Sequence, residues 1–159
     1  MDVRVEPWDG VDGTRLRAAQ RAELDARYGT DDHEPGATPG AHDVVVFVVA
    51  RDRDGRAVGC GGLRLVEPGT AEVKRMYVAP ASRGAGVATR ILRALEDQAR
   101  RAGVVDVLLE TGTRQPEAMR FYEREGYHRI DNFGPYRGAP ESVCYARRLP
   151  AFAVDGTTR

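Results

Sequence analysis

The chain has 159 residues, 42% of them apolar and 30% charged, and its 24 basic and 24 acidic side chains cancel to a net charge of zero. A chain of that length and balance buries most of its unfolded surface in one globular unit. It offers no basic field to nucleic acid or an anionic membrane, and no apolar run nears the roughly 18–20 residues of a membrane span.

The start, MDVRVEPWDG, has neither a basic stretch nor an apolar core of the signal-peptide kind, so the cytoplasm is the expected compartment. Cys60 and Cys144 stand alone, without metal-ligand or disulfide-framework spacing, and are expected to be buried free thiols. His33, His42 and His128 likewise lack ligand spacing, so no metal is expected. Lys74 is the single lysine among the basic residues; the rest are arginine.

In chain order, residues 2–8 (DVRVEPW) alternate like a strand that Pro7 ends, and 14–28 (TRLRAAQRAELDARY) read as a helix of weak periodicity. Residues 29–42 (GTDDHEPGATPGAH) form a long loop, a length that points to function or mobility. DVVVFVVAR (43–51) reads as a strand buried on both faces. Asp54-Gly55 turns the chain into a second strand at 57–66, where Gly59, Gly61 and Gly62 imply a bulge or a close approach. Pro68-Gly69 turns it again into a strand at 71–78, so the first half is an antiparallel meander.

The pattern then changes. Residues 84–102 carry apolar positions at Ala88, Ile91, Leu92, Leu95, Ala99 and Ala102, an amphipathic helix ended by Gly103. VVDVLLE (104–110) is a buried strand. A short helix with Pro116 in its first turn carries Ala118, Phe121 and Tyr122 and stops at Gly126. Strands at 127–131 and 142–148 follow, separated by FGPYRGAPE. The domain is expected to span 1–149, with 150–159 a frayed tail.

The sharpest feature is RGAGVAT at 83–89, between a strand and a helix. A glycine-rich turn there collects free backbone N–H groups and the positive end of the helix dipole, an anion site that small residues let a phosphate reach. It is not a phosphate-binding P-loop, because no lysine follows the glycines. As a dinucleotide fingerprint it is weak, since Thr89 stands where the third glycine belongs.

Taken with its flanks, AEVKRMYVAPASRGAGVA (71–88) and LLETGTRQPEAMRFYEREGY (108–127), the turn resembles that of the GCN5-related N-acetyltransferase (GNAT) family. The resemblance spans roughly 43–148. It implies an α+β fold, an α/β/α sandwich whose central, mostly antiparallel twisted sheet has strands 4 and 5 parallel and splayed. It implies acetyl-coenzyme A as donor, its pyrophosphate on Arg83, Gly84, Ala85, Gly86, Val87, Ala88 and Thr89. The main chain of Met76, Tyr77 and Val78 would line the pantetheine, one amide polarising the thioester carbonyl as an oxyanion hole does.

By the same resemblance Tyr122 faces the sulfur and protonates the leaving thiolate. Glu72 is the preferred base for the amine, with Glu110 as the second candidate and a water chain as the third. Glu110 stands where family members acting on protein N-termini carry their base. Gln115 takes the place of an asparagine that touches the coenzyme in many members. The acceptor would be a primary amine on a small molecule or peptide, with a protein or N-terminal peptide, or a non-catalytic coenzyme sensor, as alternatives. Asp31, Asp32 and Glu34 could attract a cationic amine; Arg75, Tyr136 and Arg137 could hold a carboxylate or phosphate. Monomer and homodimer both fit.

Overall fold

The structure, a computed structural model, describes residues 1–152. Among them, seven strands form one sheet: β1 (Asp2–Val5), β2 (Val44–Arg51), β3 (Ala57–Glu67), β4 (Thr70–Val78), β5 (Asp106–Gly112), β6 (His128–Ile130) and β7 (Ser142–Arg148). Their spatial order is β1-β2-β3-β4-β5-β7-β6. Neighbours are antiparallel except β4 and β5, which run parallel. Helices α1 (Val11–Tyr28), α2 (Val87–Arg101) and α3 (Pro116–Arg124) flank the sheet. β2 to β4 are the expected meander, β1 pairs with β2 after the α1 connection, and the β4–α2–β5 crossover makes the parallel pair.

The two sheet faces bury different helices. On one, Ile91, Leu92, Leu95 and Ala99 of α2 are sealed against Val48, Leu63, Val73 and Leu109, joined by Tyr122 of α3. Burying each large aliphatic side chain there contributes about 1.5–3 kcal/mol. The other face buries Leu16 of α1 with Phe47, Val49, Cys60 and Tyr77. The glycines of β3 allow α2 to sit close. A Cβ on Gly61 would lie 2.9 Å from Ile91, Leu95 and Met76 side-chain atoms, so any larger residue would push the helix away.

The elements differ from expectation at their ends. α1 starts at Val11 rather than 14, because Gly13 is a packing glycine whose Cβ would strike the Phe47 ring at 2.7 Å. α2 starts at Val87 rather than 84: Gly84 and Gly86 hold φ of 82° and 80°, a left-handed conformation that cannot continue a helix. β5 lies two residues further along than 104–110, since Val105 and Asp106 donate to Gly69 C=O before the ladder begins. Residues 29–43 carry no helix or strand, as expected of the long loop. The tail expected over 150–159 falls, from 153 onward, outside the described residues. No helix among the described residues is long and apolar enough to cross a membrane.

Candidate active site

The site begins with a bulge. Cys60 pairs with Tyr77 and Gly62 with Lys74, so Arg75 and Met76 together oppose the single residue Gly61. Arg75 has φ of 59°, and among the described residues no other non-glycine has a positive φ. That conformation costs about 1–2 kcal/mol and is held in place by Cys60, whose thiol donates to Arg75 C=O at 3.4 Å. The bulge also ends the β4–β5 ladder. Pairing runs from Thr70–Asp106 to Val73–Leu109 and stops, and the two strands splay beyond it.

The splay exposes one edge of β4. Ala79 N–H donates to Val58 C=O at 2.8 Å, so by strand alternation Tyr77 turns its main chain toward β3, while Met76 and Val78 face the open edge. Of the three expected main-chain partners of the donor, Tyr77 is therefore already committed. The Met76 and Val78 carbonyls are also taken, by Gln20 Nε2 at 2.7 Å and Arg83 Nε at 2.8 Å. Their N–H groups are what the edge presents.

A groove of about 580 Å³ runs from this edge to the glycine turn, lined by Met76, Tyr77, Val78, Arg83, Gly84, Gly86, Val87, Ala88 and Thr89 on one side. Phe121, Tyr122 and Arg124 of α3 line the other. Among the described residues, the N–H groups from Gly84 to Thr89 have no main-chain acceptor; the first i→i−4 bond is Arg90 to Gly86 at 3.2 Å. Bare backbone, a helix N-terminus and Arg124 fit a pyrophosphate; Arg83 also lines the groove, with its guanidinium held by Glu23 at 2.8 and 3.0 Å and by the Val78 carbonyl. Two expected contacts are placed differently: Ala85 does not line the groove and borders a separate pocket, leaving only its N–H in the turn, and Gln115 lines a second cavity, where it donates to the Tyr28 hydroxyl at 3.3 Å. Arg124 had no signal in the sequence beyond its place on the helix.

The second cavity, about 120 Å³, lies across β4 from the groove and shares Met76, Ala118 and Tyr122 with it. Its walls also include Gln20, Tyr28, His33 and Glu34, then Lys74 and Arg75, then Glu110 and Gln115. Tyr122 therefore stands where the two spaces meet. Its phenol is buried, which pushes its pKa up, and the nearby Glu110 charge adds to this, so it stays protonated at neutral pH.

The two candidate bases occupy different surroundings. Glu72 is fully buried inside the ladder and does not line either space. Its oxygens are committed, Oε1 accepting from Arg64 at 2.8 Å and Oε2 from the Tyr136 hydroxyl at 2.6 Å, with Lys74 Nζ at 3.6 Å. Glu110 lies just past the last ladder pair, on the wall of the small cavity, and accepts one hydrogen bond from Ser142 Oγ at 2.8 Å. Burial pushes its carboxyl up to about 7, aided by the charges of Glu34 and Glu72; the Ser142 bond and Lys74 oppose the shift. A carboxyl raised toward neutrality beside a cavity is a candidate base. The cysteines are buried free thiols as expected, with burial pushing Cys60 up to about 12 and Cys144 to about 11.

Comparison with known proteins gives the family and matches the fold. The model of the acetyltransferase (GNAT) family matches residues 14–127. An IAA acetyltransferase of Azospirillum brasilense is 44% identical over 104 residues, 65% of this chain and 67% of that one. The crystal structure of a Klebsiella pneumoniae protein described as an acyl-CoA N-acyltransferase superposes with a TM-score of 0.78 at 33% identity, over 93% of this chain and 97% of that one. The PaiA N-acetyltransferase of Thermoplasma acidophilum, solved with coenzyme A, shares the fold (TM-score 0.67, 15% identity, 94% and 100% coverage). The chain belongs to the GNAT family of acetyltransferases, whose acyl donor is acetyl-coenzyme A.

Proposed function

We propose that this acetyltransferase acetylates a primary amine of a small molecule by direct attack while donor and acceptor are both bound, with Glu110 as base and Tyr122 as hydrogen donor to the departing sulfur. The observation that carries the reading is the junction: donor groove and acceptor cavity meet at Met76, Ala118 and Tyr122, and Glu110 lines the acceptor side. Acetyl-coenzyme A, when bound, supplies an activated thioester. Glu110, half ionised near pH 7, takes the proton that the amine must lose. The Met76 N–H on the open edge is a donor for charge developing on the carbonyl oxygen. Tyr122, kept neutral by burial, donates its hydroxyl proton to the developing thiolate.

Base position and acceptor space pull in different directions. Glu110 occupies the position that the family resemblance links to protein N-terminal acetylation. The cavity supports a small molecule instead: about 120 Å³ holds a few water-sized groups, and it is roofed by the 29–43 loop through Glu34. Thiol release from acetyl-coenzyme A across a panel of small amines and N-terminal peptides separates the two. Turnover with small amines is expected, and turnover confined to peptides would reverse the choice.

A further inference from the structure

Strand alternation should put Lys74 and Arg75 on opposite faces of the sheet. They are not: the bulge turns both toward the same carboxylate, that of Glu34. Lys74 Nζ meets Glu34 Oε2 at 2.9 Å and the Arg75 guanidinium meets Oε1 at 2.9 Å. Both cations are nearly sealed from solvent, their side chains 7% and 9% exposed, and both line the acceptor cavity with Glu110 and Tyr122. Lys74 is also the single lysine of a chain that otherwise uses arginine. Its compact ammonium reaches Glu34, the Tyr136 hydroxyl (2.8 Å) and Glu72 (3.6 Å) at once, which a planar fork would not do.

We propose that Lys74 and Arg75 form an anion subsite for the acceptor, that the Glu34 side chain holds it with its own carboxylate, and that the acceptor is a small amine bearing a carboxylate that takes the place of Glu34. This rests on the acetyltransferase reading above and names its substrate class.

The charge account supports it. The buried cluster contains Arg64, Lys74 and Arg75 against Glu72 and Glu34, and Glu72 is already matched to Arg64. If Glu34 withdrew and nothing replaced it, two sealed cations would be left with a share of Glu72 and with Glu110 across the cavity, which is only part ionised near neutrality and makes no salt bridge to either. A plain alkylamine, arriving as ammonium, would worsen that imbalance; an amino acid would restore it with one end and present its amine at the other. Glu34 is suited to withdrawal because it sits on a loop without helix or strand, anchored on one side by His33, which bonds Asp25 at 2.7 Å and stacks on Tyr28. The charges of Lys74 and Arg75 outweigh the effect of burial and hold the Glu34 carboxyl below the usual range, so it competes as an anion.

The test pairs each of a set of free L-amino acids with its carboxamide and with the alkylamine of the same skeleton. Two readouts are used on the whole chain: thiol release with saturating acetyl-coenzyme A, and calorimetric binding, which needs no turnover. Coenzyme A binding is measured separately. The acids are expected to bind at least tenfold more tightly than their amides. Glu34→Gln should tighten acid binding at least threefold, by removing the competing carboxylate, without the same gain for amides. Arg75→Gln should weaken acid binding at least tenfold and amide binding by less, so that the acid–amide gap closes, with Arg75→Lys partly restoring it. Equal binding of acids and amides, or a Glu34→Gln variant that is folded by circular dichroism and loses affinity for acids, would overturn the subsite while leaving the transferase reading intact. Absence of coenzyme A binding would instead strike that reading itself.

Discussion

The Tyr136 hydroxyl donates to Glu72 at 2.6 Å and thereby pins the loop between β6 and β7 to the centre of the sheet. With Arg64 and Lys74 on its other side, Glu72 is the counter-charge of a sealed network. Glu72→Gln should therefore act on stability first. A loss of roughly 3 kcal/mol in urea-denaturation free energy is expected, since removing one partner strands buried cations. The folded fraction should keep the pH dependence of the parent enzyme. A stable Glu72→Gln protein without its acidic limb would restore Glu72 as the base.

The elevated Glu110 carboxyl carries its own stability signature. Its pKa is raised from the ordinary carboxylate range to about 7, so the folded state holds a proton that the unfolded chain has released. The stability this gives is complete below the unfolded value and is lost as pH climbs through about 7. Glu110→Gln should flatten the dependence of melting temperature on pH between about 4.5 and 7. The expected difference across that window is on the order of 3 kcal/mol. An unchanged slope would mean that Glu110 is ionised throughout.

Gly86 caps α2 with φ of 80° and open space where a Cβ would stand. Gly86→Ala thus costs about 1 kcal/mol in backbone strain without a clash inside the protein. The added methyl points where a pyrophosphate would approach the backbone. The dissociation constant for coenzyme A should rise at least tenfold, about 1.4 kcal/mol, by isothermal calorimetry. Unaltered affinity in the folded variant would put the phosphates elsewhere.

Tyr122→Phe removes only a hydroxyl, so the core that Tyr122 shares with Tyr127 and Tyr145 stays filled. Turnover should drop roughly 10²-fold while the KM for acetyl-coenzyme A stays within about twofold. The penalty should shrink at low pH, where solvent protonates the thiolate. A loss seen mainly in coenzyme KM would make Tyr122 a binding residue.

The elements that frame the donor groove were legible because their signals are local, while the donor itself was read from the family resemblance of the turn and its flanks. A glycine turn followed by an amphipathic helix is read within twenty-odd residues, and the strand and helix periods follow from side-chain alternation. The acceptor half is made by contacts across the chain, Glu34 with Lys74 and Tyr136 with Glu72, and no short window contains them. The preference for Glu72 over Glu110 rested on strand position alone, and the surroundings that now favour Glu110 come from such long-range contacts. Glu72 pairs opposite Leu108 inside the ladder, whereas Glu110 falls beyond its last pair, Val73 with Leu109. The ladder stops where the bulge sits; the glycines of β3 and the resemblance announced an irregularity and a splay, but not its position at Arg75.

The most direct measurement is the pH profile of kcat/KM for the best small amine, taken for the parent enzyme and for Glu110→Gln. With Glu110 as base, the parent profile has an acidic limb with a midpoint near 7. The variant loses that limb and falls by roughly 10²–10⁴ in kcat/KM. A Glu110→Gln enzyme that keeps both the limb and most of its activity contradicts the assignment.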